Sequence, residues 1–198
     1  MSLAEPFYPN YLASDPADPR AEAHRLCRVA LKAGPATGRA LVVRVGCRFT
    51  LVAGASDGRL VGFRSVSHGP VLLAASHAEA ANANGAAAAR VVRAAAAQVA
   101  ERARLESLVS ARGAVVGATG IAETVIALAA RGASQATIDE VRAVTETLGI
   151  TWAQRRLGRS DAWIAPMMIG AAVLAAILEQ LDAQEIVAEE MPAPRAVS

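Results

Sequence analysis

The sequence has few aromatic residues, few cysteines and histidines, and almost no excess charge. Only 4% of its 198 residues are aromatic although 54% are hydrophobic, so small aliphatic side chains must build the core. Lys and Arg number 20 against 18 Asp and Glu, which gives a net charge of +2. Counterion-driven nucleic-acid binding exploits a much larger basic excess. We therefore expect no nucleic-acid partner.

The cysteines and histidines form no recognisable metal or disulfide pattern. Cys27 and Cys47 make neither a CxxC pair nor a disulfide framework, and His24, His68 and His77 have no zinc-ligand spacing with them. We predict no metal site, and no secretory signal is visible in the first residues. Both observations suit a reducing cytoplasm.

The longest uncharged stretch, Ala162 to Leu178, is 17 residues long and touches the lower limit for a membrane span. It contains Pro166 and Gly170 and is rich in Ala rather than Leu, which weakens its transfer energy into lipid. We interpret it as a buried core helix and expect no membrane partner. A monotopic or spanning helix is the alternative.

Residues 1–21 predict an extended arm, because several prolines deny it regular backbone hydrogen bonds. Its rings, Phe7, Tyr8 and Tyr11, favour docking onto a surface. A disordered tail with incidental aromatics is the alternative. Residues 191–198 are expected to be a flexible tail, which leaves 22–190 as a single domain.

Within 22–190 the hydrophobic patterns alternate between helix and strand periods. The first half is predicted to contain a helix from Glu22 to Ala33, strands at 40–46, 49–53 and 60–66, and a helix at 86–108. A strand at 114–117 and a helix at 118–130 follow, and a capping box at Thr137 begins a helix that runs to Leu148. The last elements are a helical turn at 152–157, the apolar helix, and a strand at 185–188. This order predicts a five-stranded mixed sheet with helices on both faces. It is the order of one lobe of the actin-like, ribonuclease-H-like architecture.

Three segments in a fixed order carry a more specific resemblance. They are Val-Val-Arg-Val-Gly-Cys-Arg-Phe-Thr-Leu at 42–51, Gly-Ala-Thr-Gly-Ile-Ala-Glu-Thr-Val at 117–125, and Arg-Ser-Asp at 159–161 before the apolar helix. From about residue 22 to 190 the chain resembles the second lobe of the exopolyphosphatase and guanosine pentaphosphate phosphatase (Ppx/GppA) family. The resemblance depends on the co-linear succession rather than on one motif.

The first segment departs from the pattern that it resembles, which is typically Val-Val-Asp-Ile-Gly-Gly-Gly-Ser-Thr-Glu. In the family, the glycines let backbone amides crowd a phosphate, while the Asp and Glu manage metal and attacking water. Here Arg44 replaces the Asp, Leu51 replaces the Glu, Phe49 replaces the Ser, and Cys47 and Arg48 replace two glycines. The resemblance therefore implies no catalytic residues, and Mg²⁺ would be needed only if the domain were catalytic.

The resemblance also supplies candidate ligand-binding residues. They are Arg44, Gly46, Arg48, Thr50, Gly117, Thr119 and Gly120. The two arginines either grip a phosphate or have a structural role, and the second loop is either an anion site at a helix N-terminus or a plain strand-to-helix turn. A nucleophilic Cys47 would need a nearby base, and a buried inert thiol is the favoured reading.

Family members place phosphates between two lobes, and residues 1–21 are too short to form the first. We therefore predict a degenerate phosphatase-like domain of the cytoplasm, not an enzyme, that acts as a homodimer or through a companion chain or a phosphate-containing anion. The alternative is a phosphohydrolase of the exopolyphosphatase or guanosine polyphosphate type, completed by another chain.

Overall fold

The structure is a computed structural model that describes residues 18–32, 38–46, 49–66, 85–105, 107–108, 114–117, 120–131, 133–155 and 164–188. Residues 1–17 of the arm predicted at 1–21 and the tail predicted at 191–198 lie outside these ranges. The helices are α1 (Pro19–Lys32), α2 (Gly85–Ala103), α3 (Ile121–Ala129), α4 (Ile138–Arg155) and α5 (Ile164–Gln180). The strands are β1 (Arg39–Val45), β2 (Thr50–Ser56), β3 (Arg59–Val66), β4 (Ala114–Gly117), β5 (Gln135–Thr137) and β6 (Glu185–Ala188).

The strands described form one mixed sheet in the order β3-β2-β1-β4-β6-β5. The first three make an antiparallel meander, and β4 and β6 continue from β1 as parallel neighbours. Helix α1 packs on one face of this sheet, while the other four helices lie on the opposite face. The predicted α/β class, with helices on both faces, is confirmed.

Strand β5 makes the sheet six-stranded, where the sequence analysis predicted five strands. Thr137 pairs with Glu185 of β6 in antiparallel register. The same Thr137 begins α4 as predicted, because its hydroxyl accepts the Glu140 N–H at 3.3 Å while its own N–H donates to Glu140 Oε2 at 2.8 Å. A three-residue strand is too short to show a hydrophobic period, and so the capping box was the visible signal.

Three helix boundaries also differ from the predictions. Helix α2 ends at Ala103 and not at residue 108 as predicted, and the following Arg104 has φ +48°. Helix α1 begins at Pro19, inside the predicted arm, because Asp18 caps it: Asp18 Oδ1 accepts the Arg20 N–H at 2.8 Å. Proline suits the first helical position, where its missing N–H costs nothing. Helix α4 continues to Arg155, so it joins the two helical segments that were predicted to break after Leu148.

Strand β1 is buried on both of its faces. Leu41, Val43 and Val45 belong to the core formed with α2 to α5, whereas Ala40 and Val42 belong to a second core under α1. The period of two follows from the alternation of side chains along a strand. Because it also pairs with β2 on one edge and with β4 on the other, β1 is an interior strand of the described sheet.

Helix α5 is a core helix, as predicted. Every residue from Met167 to Leu178 is buried, and the helix contacts α2, α3, α4 and β1. Its many small side chains let these neighbours approach it on all sides. Among the helices described, none has both the length and the apolar character that a membrane crossing requires.

Gly117 at the end of β4 gives a test of this packing. An added Cβ would overlap Ile126 Cδ1 of α3 and lie 3.3 Å from Ile186 Cδ1 of β6. We expect Gly117→Ala to lower the unfolding free energy by about 1–3 kcal/mol through overpacking. Ile126→Val alone should cost about 1 kcal/mol.

In the double variant, removal of Cδ1 makes room for the new methyl group. Its loss of unfolding free energy, measured by urea denaturation, should therefore be smaller than the sum of the single losses. Strict additivity would show that the two side chains do not meet.

Candidate functional site

The candidate site lies at the carboxyl ends of the parallel strands β1 and β4. Val43 of β1 pairs with Gly117 of β4, so the loops that follow the two strands leave the sheet at the same edge. After β1 the chain continues into β2, which lies on one side of β1, whereas the later strand β4 lies on the other side. In open α/β sheets, such a reversal of strand order leaves a crevice where ligands bind.

The first loop is a tight connection between β1 and β2. Val45 and Thr50 are opposite each other, and the Gly46 N–H donates to the Phe49 carbonyl at 3.0 Å. Cys47 and Arg48, between these ends, lie outside the described residues. Because this hydrogen bond joins the two ends of the loop, the loop stays at the edge of the sheet, beside the end of β1.

The second loop leads from β4 into α3 and meets the first. Gly120 has φ +114°, a backbone conformation that side chains with a Cβ rarely adopt. A Cβ placed on it would lie 3.7 Å from the Val45 carbonyl oxygen. Gly120 therefore rests against the end of β1, and the two predicted loops form one site.

The start of α3 at this site has no side-chain cap. The Gly120 carbonyl accepts hydrogen bonds from the Thr124 N–H at 3.2 Å and from the Thr124 hydroxyl at 3.1 Å, which orders the first turn. Helix N-termini attract anions because their first amides and the helix dipole present positive charge. Thr50 is buried beside Val45, and its hydroxyl has no hydrogen-bond partner among the residues described.

Arg44 lies on the face of β1 that α1 covers. Its side chain is buried, and Nη1 forms an ion pair with Glu22 Oε1. Glu22 is also held by Arg25, whose Nε and Nη2 donate at 2.9 and 2.7 Å. Of the two roles considered for Arg44, this burial and pairing favour the structural one.

The pKa of the Glu22 carboxyl is lowered below its usual value. The hydrogen bond from Arg25 is the largest cause, burial acts in the opposite direction, and the charges of Arg44 and Arg25 add to the lowering. Glu22 therefore stays ionised and compensates the buried Arg44. Nothing in the sequence pattern indicated this pair, since the two residues are 22 positions apart.

Cys27 lies in the same layer, on α1. Burial raises the pKa of its thiol to about 11, so the thiol stays protonated and unreactive. Across the part of the chain that the structure describes, no three His, Cys, Asp or Glu side chains come together in a way that could hold a metal ion.

The predicted site residues thus divide into three groups. Gly46, Thr50, Gly117 and Gly120 come together at one edge of the sheet, and Arg44 faces α1 instead. Arg48 and Thr119 lie outside the described residues. That any of these residues binds a ligand stays a prediction.

Solved structures of Ppx/GppA proteins have the same fold. The type II variant of the Aquifex aeolicus Ppx/GppA phosphatase matches with a TM-score of 0.61 at 13% identity, over 86% of this chain and 59% of that one. An exopolyphosphatase-like protein matches at 0.65 and 17%, over 87% and 63%. The Cytophaga hutchinsonii exopolyphosphatase matches at 0.56 and 13%, over 87% and 60%.

These matches confirm the resemblance predicted from the sequence, at the level of fold. The chain spans about three-fifths of the length of the solved structures that it matches, a share consistent with one lobe. No protein-family model matches the sequence, and no curated protein matches it significantly.

The Arg44–Glu22 pair predicts a specific pattern of stability. Removing one partner leaves the other charge buried, so Glu22→Met or Arg44→Met should each lower the unfolding free energy by about 3–5 kcal/mol. The double variant replaces both charges by apolar side chains and should recover most of that loss. Urea denaturation of the four proteins measures the cycle, and a double variant as unstable as the sum of the single ones would contradict it.

The lowered pKa of Glu22 also predicts a dependence on pH. Because the folded-state pKa lies below the unfolded one, the stabilisation is complete above the ordinary Glu pKa of about 4.3 and is lost as the pH falls further. The difference in unfolding free energy between the native protein and Glu22→Gln should therefore shrink in acid. The exposed pair of Glu146 with Arg93 provides a control. Glu146→Gln should change the unfolding free energy by less than about 1 kcal/mol both above and below the ordinary Glu pKa.

Proposed function

We propose that this chain is a phosphatase-like domain that does not catalyse hydrolysis and acts by association with a copy of itself or with a companion chain. The observation that carries the proposal is the buried ion pair of Arg44 with Glu22. Arg44 stands where the resembling motif has its acid, and it is engaged inside the protein. A cation at this position cannot hold Mg²⁺ or orient an attacking water through a carboxylate.

A second replacement supports the same proposal, because Leu51, which is fully buried, stands where the resembling motif has its Glu. Phosphoryl transfer depends mainly on positioning and on charge stabilisation in a site that excludes water. A site with Arg44 and Leu51 in place of the two acids has no carboxylate at these positions to hold a metal ion or orient water. We therefore assign no catalytic residue to this chain and no Mg²⁺ requirement.

A second candidate function is a phosphohydrolase of the exopolyphosphatase type that another chain completes. It is favoured by the contact between Gly120 and the end of β1, because that contact brings a glycine loop and an uncapped helix N-terminus to one place. Such an arrangement suits a phosphate. The two candidates differ in whether the purified chain, alone or with its partner, turns over substrate.

A phosphate-release assay separates them when it is run both on the purified protein and on the protein isolated together with any companion chain. Purified protein incubated with inorganic polyphosphate or a guanosine polyphosphate and Mg²⁺ should release no phosphate above the protein-free blank. Gly120→Ala is the matched control, because a methyl group at φ +114° strains the second loop. Phosphate release by the native chain that disappears in a folded Gly120→Ala variant would overturn the first proposal in favour of the second.

A further inference from the structure

The sheet has two outer strands, β3 and β5, and the surfaces around them carry opposite charge. At the β3 end, the exposed residues that we call the basic end are Arg59, Val61, Arg64, Arg102 and Arg104. At the β5 end, the exposed residues that we call the acidic end are Asp139, Glu140, Asp182 and Glu185. Asp57 and Glu101 at the first end, and Arg131 and Arg142 at the second, reduce these charges without reversing them.

The basic end joins β3 to the end of α2. Arg64 Nη2 donates to Ser107 Oγ at 2.7 Å, and Ser107 Oγ donates to the Arg104 carbonyl at 3.3 Å. Arg102 lies in the last turn of α2. These contacts place Arg104 and the end of α2 beside β3. Arg59 lies on the same face of β3 as Arg64, because their partners on β2, Ser56 and Val52, are four positions apart.

An exposed apolar side chain lies within the same surface. Val61 is 48% exposed, and it is the extra residue of a bulge, since the register moves from Gly62 opposite Gly54 to Leu60 opposite Ala55. Bulges and charged side chains on an outer strand hinder continuous strand pairing with another chain. A partner would therefore contact side chains here rather than add a strand.

The acidic end is built from the turns around β5 and β6. Glu185 is opposite Thr137, and the Thr137 N–H donates to Glu140 Oε2 at 2.8 Å. The Ile138 N–H donates to the Gln184 carbonyl at 2.9 Å, which holds the start of α4 against the segment between Asp182 and Glu185. The carboxylates of α4, of the turn after α5 and of β6 thus share one exposed surface.

The two charged ends cannot neutralise each other within one molecule. Five strand spacings separate β3 from β5, a distance of roughly 24 Å. This is more than twice the Debye length of about 10 Å at 0.1 M salt. Each end therefore presents its charge to other molecules.

We propose that the basic end of one copy of this chain docks on the acidic end of another, and that Val61 is buried at the contact. This inference rests on the proposed function, because it identifies the surfaces for self-association. The occupant is a second copy since the chain itself supplies both complementary surfaces, and complementary charge favours encounter and correct orientation. The contact is heterologous, so it produces closed rings or open chains of copies and not a two-fold dimer.

Sedimentation velocity at low and high NaCl tests the proposal. The native protein should associate at about 0.02 M salt and dissociate at about 0.5 M, because the contact is electrostatic. Arg59→Glu/Arg64→Glu, which leaves acidic charge at both ends, should be monomeric at low salt. Glu140→Lys/Glu185→Lys, which leaves basic charge at both ends, should also be monomeric.

An equimolar mixture of the two charge-reversed variants should associate again, because each then offers what the other lacks. Glu140→Gln/Glu185→Gln guards against loss of the α4 cap, since Gln also serves in a capping box, and this variant should associate less than the native protein. Arg90→Glu/Arg93→Glu on α2 makes the same charge change away from both ends and should associate like the native protein. Thermal denaturation establishes that each variant is folded.

Three outcomes would overturn the inference. They are a native protein that is monomeric at low salt, association that survives reversal of either end, and a mixture of folded variants that stays monomeric. The phosphate-release assay is independent of all three. Self-association that is insensitive to these charges would refute the assigned surfaces and leave the proposed function standing.

Discussion

The fold depends on the complete burial of β1. The strand is paired along both edges and covered on both faces, by α1 on one side and by the layer of four helices on the other. Each apolar side chain along it therefore serves one of two separate cores. The arrangement also fixes where the loops meet, because the carboxyl ends of β1 and β4 lie side by side.

Arg44 shows what this burial demands of a charged residue. A guanidinium inside an apolar layer is costly unless an opposite charge and hydrogen bonds compensate it. Glu22 provides that compensation from α1, and Arg25 keeps the carboxylate oriented. The charge at this point of β1 is thus used to hold a helix on the sheet. Arg44, the residue that departs most clearly from the resembling phosphate-loop pattern, is therefore also the residue that pairs β1 with α1.

The sequence was sufficient to predict the fold class and most of the elements, because their signals are local. Strands such as 114–117 and 185–188 and the buried helix α5 have strong hydrophobic patterns, and the structure confirms them. The signals failed where structure depends on distant partners. Strand β5 is too short to show a hydrophobic period, and it forms because it pairs with β6. The family resemblance singled out Gly46, Gly117 and Gly120, which the structure brings to one edge of the sheet. The Arg44–Glu22 pair depends instead on how α1 docks, which no spacing along the chain encodes.

Strand β6 has a further consequence for the order in which the molecule is assembled. It is the last strand described, yet it lies between β4 and β5 and supplies hydrogen bonds to both. Val187 pairs with Val116, so this half of the sheet waits for residues some seventy positions further along the chain. Contacts of such high sequence separation slow folding, because the chain loses the entropy of closing the loop before the contacts can stabilise it. During synthesis, the meander β1 to β3 can form early, while β4 stays without its second neighbour until the ribosome has released almost the whole domain.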